Sequence, residues 1–366
     1  MKKIIFALII LNTILLSQDK TANEFFDMLY VDRQPSTKIE SMGRCGVSVP
    51  DGMFSVFYNP ALISNINGVT VSSSIVSPYS FLDDSQFSFL GIGYHFKKFS
   101  FGFSFYNYSG DAFETVSILY PDGRYLASES NDYKITISFN PNRAFSLGLS
   151  GKYVSTNTEN GILLDDTEKG YDLDIGIRQI VGVSRNRNFR QRTSIGISFI
   201  NLFSGDIGDS KLPRIMNTGV NFSFIPRVGT MIPHINTVLI TFTGEYQKQW
   251  DSDYHSGLKF GSELHIAEIL ALRCGYYWDR VNDNDETVTD IISGDTYKEF
   301  EYIEEFTYGF GIYIPLFRFY EGKIPLNIKF DYSNMKYPES NNSGYVDYDN
   351  INSYSLSVNW LMDLDD

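Results

Sequence analysis

Long apolar runs are missing from this chain. The longest, residues 4–16, covers 13 positions behind Lys2 and Lys3, short of the roughly 20 that a helix needs to cross a bilayer. It has the form of a signal-peptide core, with Ser17 as the small residue before cleavage and a mature chain starting near Gln18. Cysteine is scarce: two in 366 residues cannot build a disulfide framework. Basic charge is in deficit, 30 Lys and Arg against 44 Asp and Glu. That excludes a nucleic-acid partner, which requires a basic surface to displace counterions. No heptad repeat is present and Ala, Leu and Glu do not dominate, so coiled coils and helical bundles are excluded. Chemistry-bearing motifs are absent as well. The four histidines, His95, His234, His255 and His265, lie on separate segments without zinc spacing. No nucleophile elbow occurs. The Gly-x-Gly pairs at Gly91/Gly93 and Gly309/Gly311 sit inside strand-like runs, not ahead of a helix. The expectation is a non-enzymatic protein with no catalytic residue, no cofactor and no metal centre.

What the chain has in quantity is Phe, Tyr and Gly: 29, 25 and 29 residues. Their order matters more than their number. Phe99, Phe101, Phe103 and Phe105 share one parity, with Ser100, Gly102 and Ser104 on the other. The same alternation recurs at Phe145/Leu147/Leu149, Ile195/Ile197/Phe199, Phe306/Tyr308/Phe310/Ile312 and Tyr354/Leu356/Val358/Trp360. Successive strand side chains point to opposite faces. A soluble sandwich would put Lys, Glu and Thr on the second face. Here that face carries Gly and Ser, as the interior of a membrane barrel does. Tyr106, Tyr108, Tyr153, Tyr276, Trp278 and Trp360 are expected in interfacial girdles. Mean hydropathy is −0.17, which is compatible with a barrel because alternation hides its apolar face.

Fourteen strands are predicted, over 68–77, 86–96, 99–108, 132–139, 145–155, 171–183, 192–202, 214–224, 237–250, 255–265, 270–279, 305–316, 324–336 and 353–361. The fold class is therefore all-β, a 14-stranded antiparallel transmembrane β-barrel with an N-terminal plug segment. Short turns such as Lys97-Lys98 alternate with long, acidic loops such as 109–131 and 280–304, so the short turns belong to the periplasm. The domain organisation follows as a signal peptide at 1–17, a plug at 18–67 and the barrel at 68–366. Thr21–Tyr30 reads as a short amphipathic helix of the plug. The acidic loops are solvated rim, with divalent-cation binding as the sharper alternative. Closure requires the first and last strands to pair near Val71 and Leu356, because no open edge survives in lipid. Arg273 is expected inside the barrel. Cys274, on the opposite parity, then faces lipid and cannot reach Cys45 of the plug.

Residues 18–67 show no alternation, but they hold a distinctive run: Met42-Gly43-Arg44-Cys45-Gly46-Val47-Ser48-Val49-Pro50-Asp51, then Tyr58-Asn59-Pro60-Ala61-Leu62. This run resembles the plug of the PorV/PorQ family of outer-membrane proteins, similar in architecture to the FadL-type transporters. Gly43, Gly46, Asp51, Tyr58, Asn59, Pro60 and Ala61 match the family pattern. Arg44 and Cys45 stand where that family has small residues. The resemblance implies an outer-membrane location in a Gram-negative-type bacterium. It also implies two roles. PorV/PorQ-type members act in type IX secretion, with secreted proteins carrying C-terminal sorting domains or secretion-complex subunits as partners. FadL-like members transport long-chain fatty acids or other hydrophobic small molecules. The first is the leading expectation and the second the alternative; outer-membrane lipid is a partner in both. The second would need an apolar lumenal pocket and a lateral opening. Asn59-Pro60-Ala61 is expected to seat the plug as a turn, with ligand contact as the alternative.

Overall fold

The computed structural model describes residues 33–361, apart from 78–85, 110–112, 118–119, 127–128, 159–165, 186–188, 208–209, 227–237, 251–255, 281–286, 290–295, 299–301, 320–323 and 341–345. The predicted signal peptide, the predicted helix at Thr21–Tyr30, His234, His255 and most of the acidic loops lie outside the described residues.

Fourteen antiparallel strands close into a barrel. They are β1 Val69–Val76, β2 Gln86–Phe96, β3 Phe99–Ser109, β4 Glu129–Asn142, β5 Phe145–Thr158, β6 Asp166–Arg185 and β7 Phe189–Ile200. The circuit continues with β8 Ile215–Pro226, β9 Val238–Gln249, β10 Ser256–Ile266, β11 Leu270–Arg280, β12 Tyr302–Pro315, β13 Leu326–Ser340 and β14 Val346–Trp360. Each predicted strand corresponds to one of these. The seam between β1 and β14 is paired from Val69↔Trp360 to Val76↔Ser353, with Ser73 opposite Leu356. Short two-stranded hairpins within 113–126, 206–211 and 287–298 decorate the long-loop rim.

The alternation sorts side chains to the two faces. Leu90, Ile92, Phe101, Phe103, Ile135, Leu149, Phe260, Phe306 and Leu356 are exposed on the outside, Phe306 to 70% and Ile135 to 66%. A soluble monomer does not expose an apolar band of this extent, whereas a membrane barrel places it against lipid. No described helix is long and apolar enough to cross a membrane. The chain is an outer-membrane β-barrel: closed, antiparallel, even in strand number and apolar on its outer wall.

Two expectations need correction. Tyr106 and Tyr108 are not girdle residues: they share the parity of Ser100, Gly102 and Ser104, face the lumen and are buried. The inner face is also not uniformly small and polar. Near its long-loop end it carries Val76, Phe87, Phe89, Val154, Ile200, Ile215, Tyr277, Met335 and Ile351. Single inward apolar residues near strand ends do not disturb an alternation read over the strand centres, so the sequence pattern concealed them.

Candidate functional site

The lumen is divided by residues 33–66, which run from the long-loop end toward the short turns. Short helices shape this plug: α1 Thr37–Glu40, a 3-10 turn Gly52–Phe54, α2 Ser55–Tyr58 and a 3-10 turn Pro60–Asn65. Ser36 caps α1 by accepting from the Ile39 N–H. Asn59 caps the last turn, with Pro60 at its first position, where a missing N–H costs nothing.

The inward glycines of the barrel exist for this plug. A Cβ at Gly275 would collide with Met42 and Gly43, one at Gly148 with Pro60 and Ala61, one at Gly196 with Val47 and one at Gly176 with Asn59. Gly43 has φ +64° and lies against the backbone of β10 and β11, a conformation and a proximity that both exclude a side chain.

The predicted site residues are brought together as follows. Gly43 donates its N–H to Thr307 Oγ1 at 2.9 Å. Gly46 lies against the Tyr58 ring. Val47 donates to Glu245 Oε2 at 2.8 Å. Asn59 Nδ2 donates to Val47 O at 2.8 Å and to the wall at Ile177 O at 3.1 Å, while its Oδ1 accepts from Ala61 N at 3.0 Å. Tyr58 O accepts from the Ser198 hydroxyl at 2.6 Å, and Ala61 O from Ser138 at 3.3 Å. Asp51 is ion-paired with Lys329 and accepts from Ser36 Oγ. Burial raises the Asp51 carboxyl, but Lys329 and Lys38 outweigh it and hold the group below the usual carboxylate range. The sequence motif thus marks backbone and side-chain seats linking the plug to most of the wall.

Sequence reasoning missed the charges that surround those seats. Arg273 lies inside as expected, and it bonds Glu263 at 2.6 Å and Asp331 at 2.8 Å. Lys329 bridges Asp331 at 2.8 Å, and Lys38 of the plug lies 3.7 Å from Glu263. A second group joins Lys152 to Asp174 at 2.6 Å and Lys134 to Asp174 at 3.2 Å. Apart from Lys329 and Asp331, both on β13, these charges sit on different strands or on the plug, so local pattern shows little of their pairing. Buried ions of this kind need one another, since removing one leaves its partner unpaired at a cost of about 3–5 kcal/mol.

Toward the long loops, the inward residues pack into a buried apolar cluster with residues of the plug. Phe87, Tyr106 and Tyr108 cluster there, with ring centroids 4.9 Å apart for Phe87–Tyr108 and 5.5 Å for Phe57–Tyr106. Val154, Ile200, Ile207, Leu212 and Ile215 belong to the same buried cluster.

Beside this cluster the barrel wall changes character. β6 overhangs β7: the ladder between them starts at Ile175↔Phe199 and leaves residues 166–174 without a strand partner on that side. The loop 201–205 covers that edge instead. Leu202 N donates to Leu173 O at 2.9 Å. The Asp172 carboxylate accepts from the N–H groups of Leu173, Phe203 and Gly205 at 2.7, 2.9 and 2.7 Å. Asp174 accepts from Asn201 N at 2.8 Å. Asn201 and Ser204 hold φ of +55° and +51°, sparsely populated for such residues. On the lipid side of this seam lies an apolar groove of about 710 Å³ lined by Phe103, Tyr133, Leu149, Tyr153, Tyr171 and Phe203, with Gly151 in its lining.

Cys45 is buried in the plug and Cys274 is exposed on the outer face. No cluster that could hold a metal ion occurs among the described residues.

Fold and lumen define an outer-membrane barrel closed by an internal plug. Solved structures are similar to this chain in fold. A TodX monoaromatic hydrocarbon channel deltaS2 mutant aligns over 90% of this chain and 99% of its own, with 11% identity and a TM-score of 0.51. The Pseudomonas putida toluene transporter TodX aligns over 88% and 97%, with 12% identity and a TM-score of 0.47. A Pseudomonas aeruginosa FadL homologue aligns over 89% and 98%, with 10% identity and a TM-score of 0.41. At such identities the likeness is one of fold. No family model and no curated protein matches the sequence.

Proposed function

We propose that this chain is a FadL-like, non-enzymatic transporter that admits hydrophobic small molecules across the outer membrane. The observation that carries the reading is the seam at Asp172, where β6 overhangs β7 and an apolar groove of about 710 Å³ lies against the outer wall. This seam has apolar residues on both sides, the groove outside and a buried cluster inside. It supplies the section of wall most easily parted, because side chains and one backbone bond hold it. The plug motif serves as the seat that closes the lumen below.

The experiment is accumulation of radiolabelled long-chain fatty acid and of toluene in cells expressing the protein, against cells lacking it. Saturable accumulation of either supports the reading, and equal passive entry in both strains overturns it. The leading expectation from the sequence, a PorV/PorQ-type role in protein export or surface attachment, becomes the second reading. Its support is the resemblance of residues 42–62 to that plug. Co-purification from native membranes separates the two: a secreted protein or secretion subunit retained in stoichiometric amount favours export.

A further inference from the structure

On the lumen side of the seam an amine, a carboxylate and a carboxamide meet where water is excluded. Lys152 of β5, Asp174 of β6 and Asn201, at the root of loop 201–205, are all fully buried. Lys152 Nζ lies 2.6 Å from Asp174 Oδ1 and donates to the side-chain oxygen of Asn201. The other half of that carboxamide is held too: Asn201 Nδ2 donates to Pro213 O at 2.7 Å. Asp174 Oδ1 also accepts from the Asn201 N–H at 2.8 Å. Asn201 keeps a φ of +55° in this position. Bonds from separate elements thus fix the amine against the amide carbonyl, with a carboxylate touching the amine. That is the arrangement of a nucleophile, an electrophile and a base. Fixed contact of this kind replaces the encounter that makes amide exchange slow in solution, and exclusion of water removes hydrolysis as a competitor. Lys259 offers a contrast within the same barrel. It donates to the side-chain oxygen of Gln247 at 2.6 Å and is equally buried, but among the described residues no carboxylate is ion-paired with it.

We propose that Lys152 and Asn201 condense into an intramolecular isopeptide bond, with Asp174 as the proton carrier. The Lys152 ammonium passes one proton to Asp174, which frees the lone pair of Nζ. Nζ then attacks Asn201 Cγ; the Nζ–Cγ bond forms and the Cγ–Nδ2 bond breaks. The departing Nδ2 takes a second hydrogen from Nζ and the proton held by Asp174, and leaves as ammonium. The third hydrogen stays on the new amide, and Asp174 returns to a carboxylate. No oxidant and no co-reactant enters. The change replaces a buried ammonium, costly even when paired, by a neutral amide. Asp174 is not stranded by it, because Lys134 at 3.2 Å and the Asn201 N–H still face it. The bond ties β5 to the root of loop 201–205 across β6. It does not rest on the transport reading: the staple fixes Asn201, while Phe203 and Gly205, held through Asp172, remain the part of the seam that can move.

The test is a peptide map of the full-length protein purified from membranes, denatured and digested with trypsin. The expected result is a block of cleavage after Lys152. Residues 144–169 and 193–211 should then be recovered as one branched species, lighter than the two together by one ammonia. Cleavage after Lys259 should proceed normally, because no carboxylate serves that amine. Lys152→Met and Asn201→Ala should each abolish the branched species. Asp174→Asn, closest to the native side chain in shape, should lower the linked fraction by about tenfold or more, and Asp174→Glu should restore part of it. The heat-modifiable gel shift verifies that each variant is a folded barrel. The wild-type digest decides the bond by itself, so a variant that fails to fold does not shelter it. Complete cleavage after Lys152, with 193–211 recovered at its unmodified mass, overturns the proposal. Full linkage in folded Asp174→Asn, or a second link at Lys259, overturns the role given to Asp174.

Discussion

At the residue scale the plug motif is a set of steric and electrostatic fits. Gly43 occupies left-handed space against β10 and β11. Gly43→Ala should therefore cost about 1–2 kcal/mol for conformation alone, and more because the added carbon meets wall backbone. The check is the temperature at which the folded barrel loses its heat-modifiable gel shift. Asp51 gives a pH dependence with a definite sign. Its folded pKa lies below its unfolded value, so its contribution is present above the ordinary carboxylate pKa and is lost as pH falls through the depressed one. Protease protection of residues 33–66 should hold at neutral pH and fail only in acid below about pH 4, the ordinary Asp range; Asp51→Asn should already weaken it at pH 7. Cys45 supplies a third readout. Burial, with Glu245 adding to it, pushes its thiol well above the ordinary range, so it should resist maleimide at neutral pH until the barrel is unfolded. Glycine, Asn-Pro and Asp were legible as a motif because turn chemistry is local. Their partners, from Thr307 to Lys329, lie hundreds of residues away and were not.

At the element scale, strand existence was legible and strand reach was not. Phe99–Ser109 announces itself through four Phe on one face. β6 was predicted over 171–183 but runs Asp166–Arg185, and β14 starts at Val346. These extensions are polar, lack alternation, and are strand only because a neighbour supplies ladder bonds, as β5 does for residues 166–170. The β6 overhang creates the seam that loop 201–205 covers. Asp172→Ala removes the acceptor of three N–H groups and should loosen that loop by on the order of 3 kcal/mol. Amide exchange at Phe203 and Gly205 should speed up while that of β7 stays unchanged, and entry of hydrophobic solute should rise. Unchanged exchange at those two amides would show that other contacts hold the seam.

At the scale of the whole molecule, one solvent argument accounts for both surfaces. The outer wall is apolar because it meets lipid, and the middle of the lumen is small because the plug must fit. The buried apolar cluster near the long loops follows neither rule: there inward apolar residues pack against the plug. Phe203→Lys, in the exposed groove beside the seam, should lower solute accumulation at least tenfold with the barrel still folded, as judged by strand circular dichroism. Retained accumulation would show that solute does not enter by that groove.

The sequence by itself determined the barrel, the strand count, the facing of Arg273 and Cys274 and the place of the plug, because period-two alternation and turn residues act over a few neighbours. Only the tertiary structure decided which plug atom meets which wall glycine, how the buried charges pair, and where apolar residues turn inward to pack against the plug. Those features depend on residues far apart in the chain meeting across a closed ring, and the geometry of that ring is set by all fourteen strands at once.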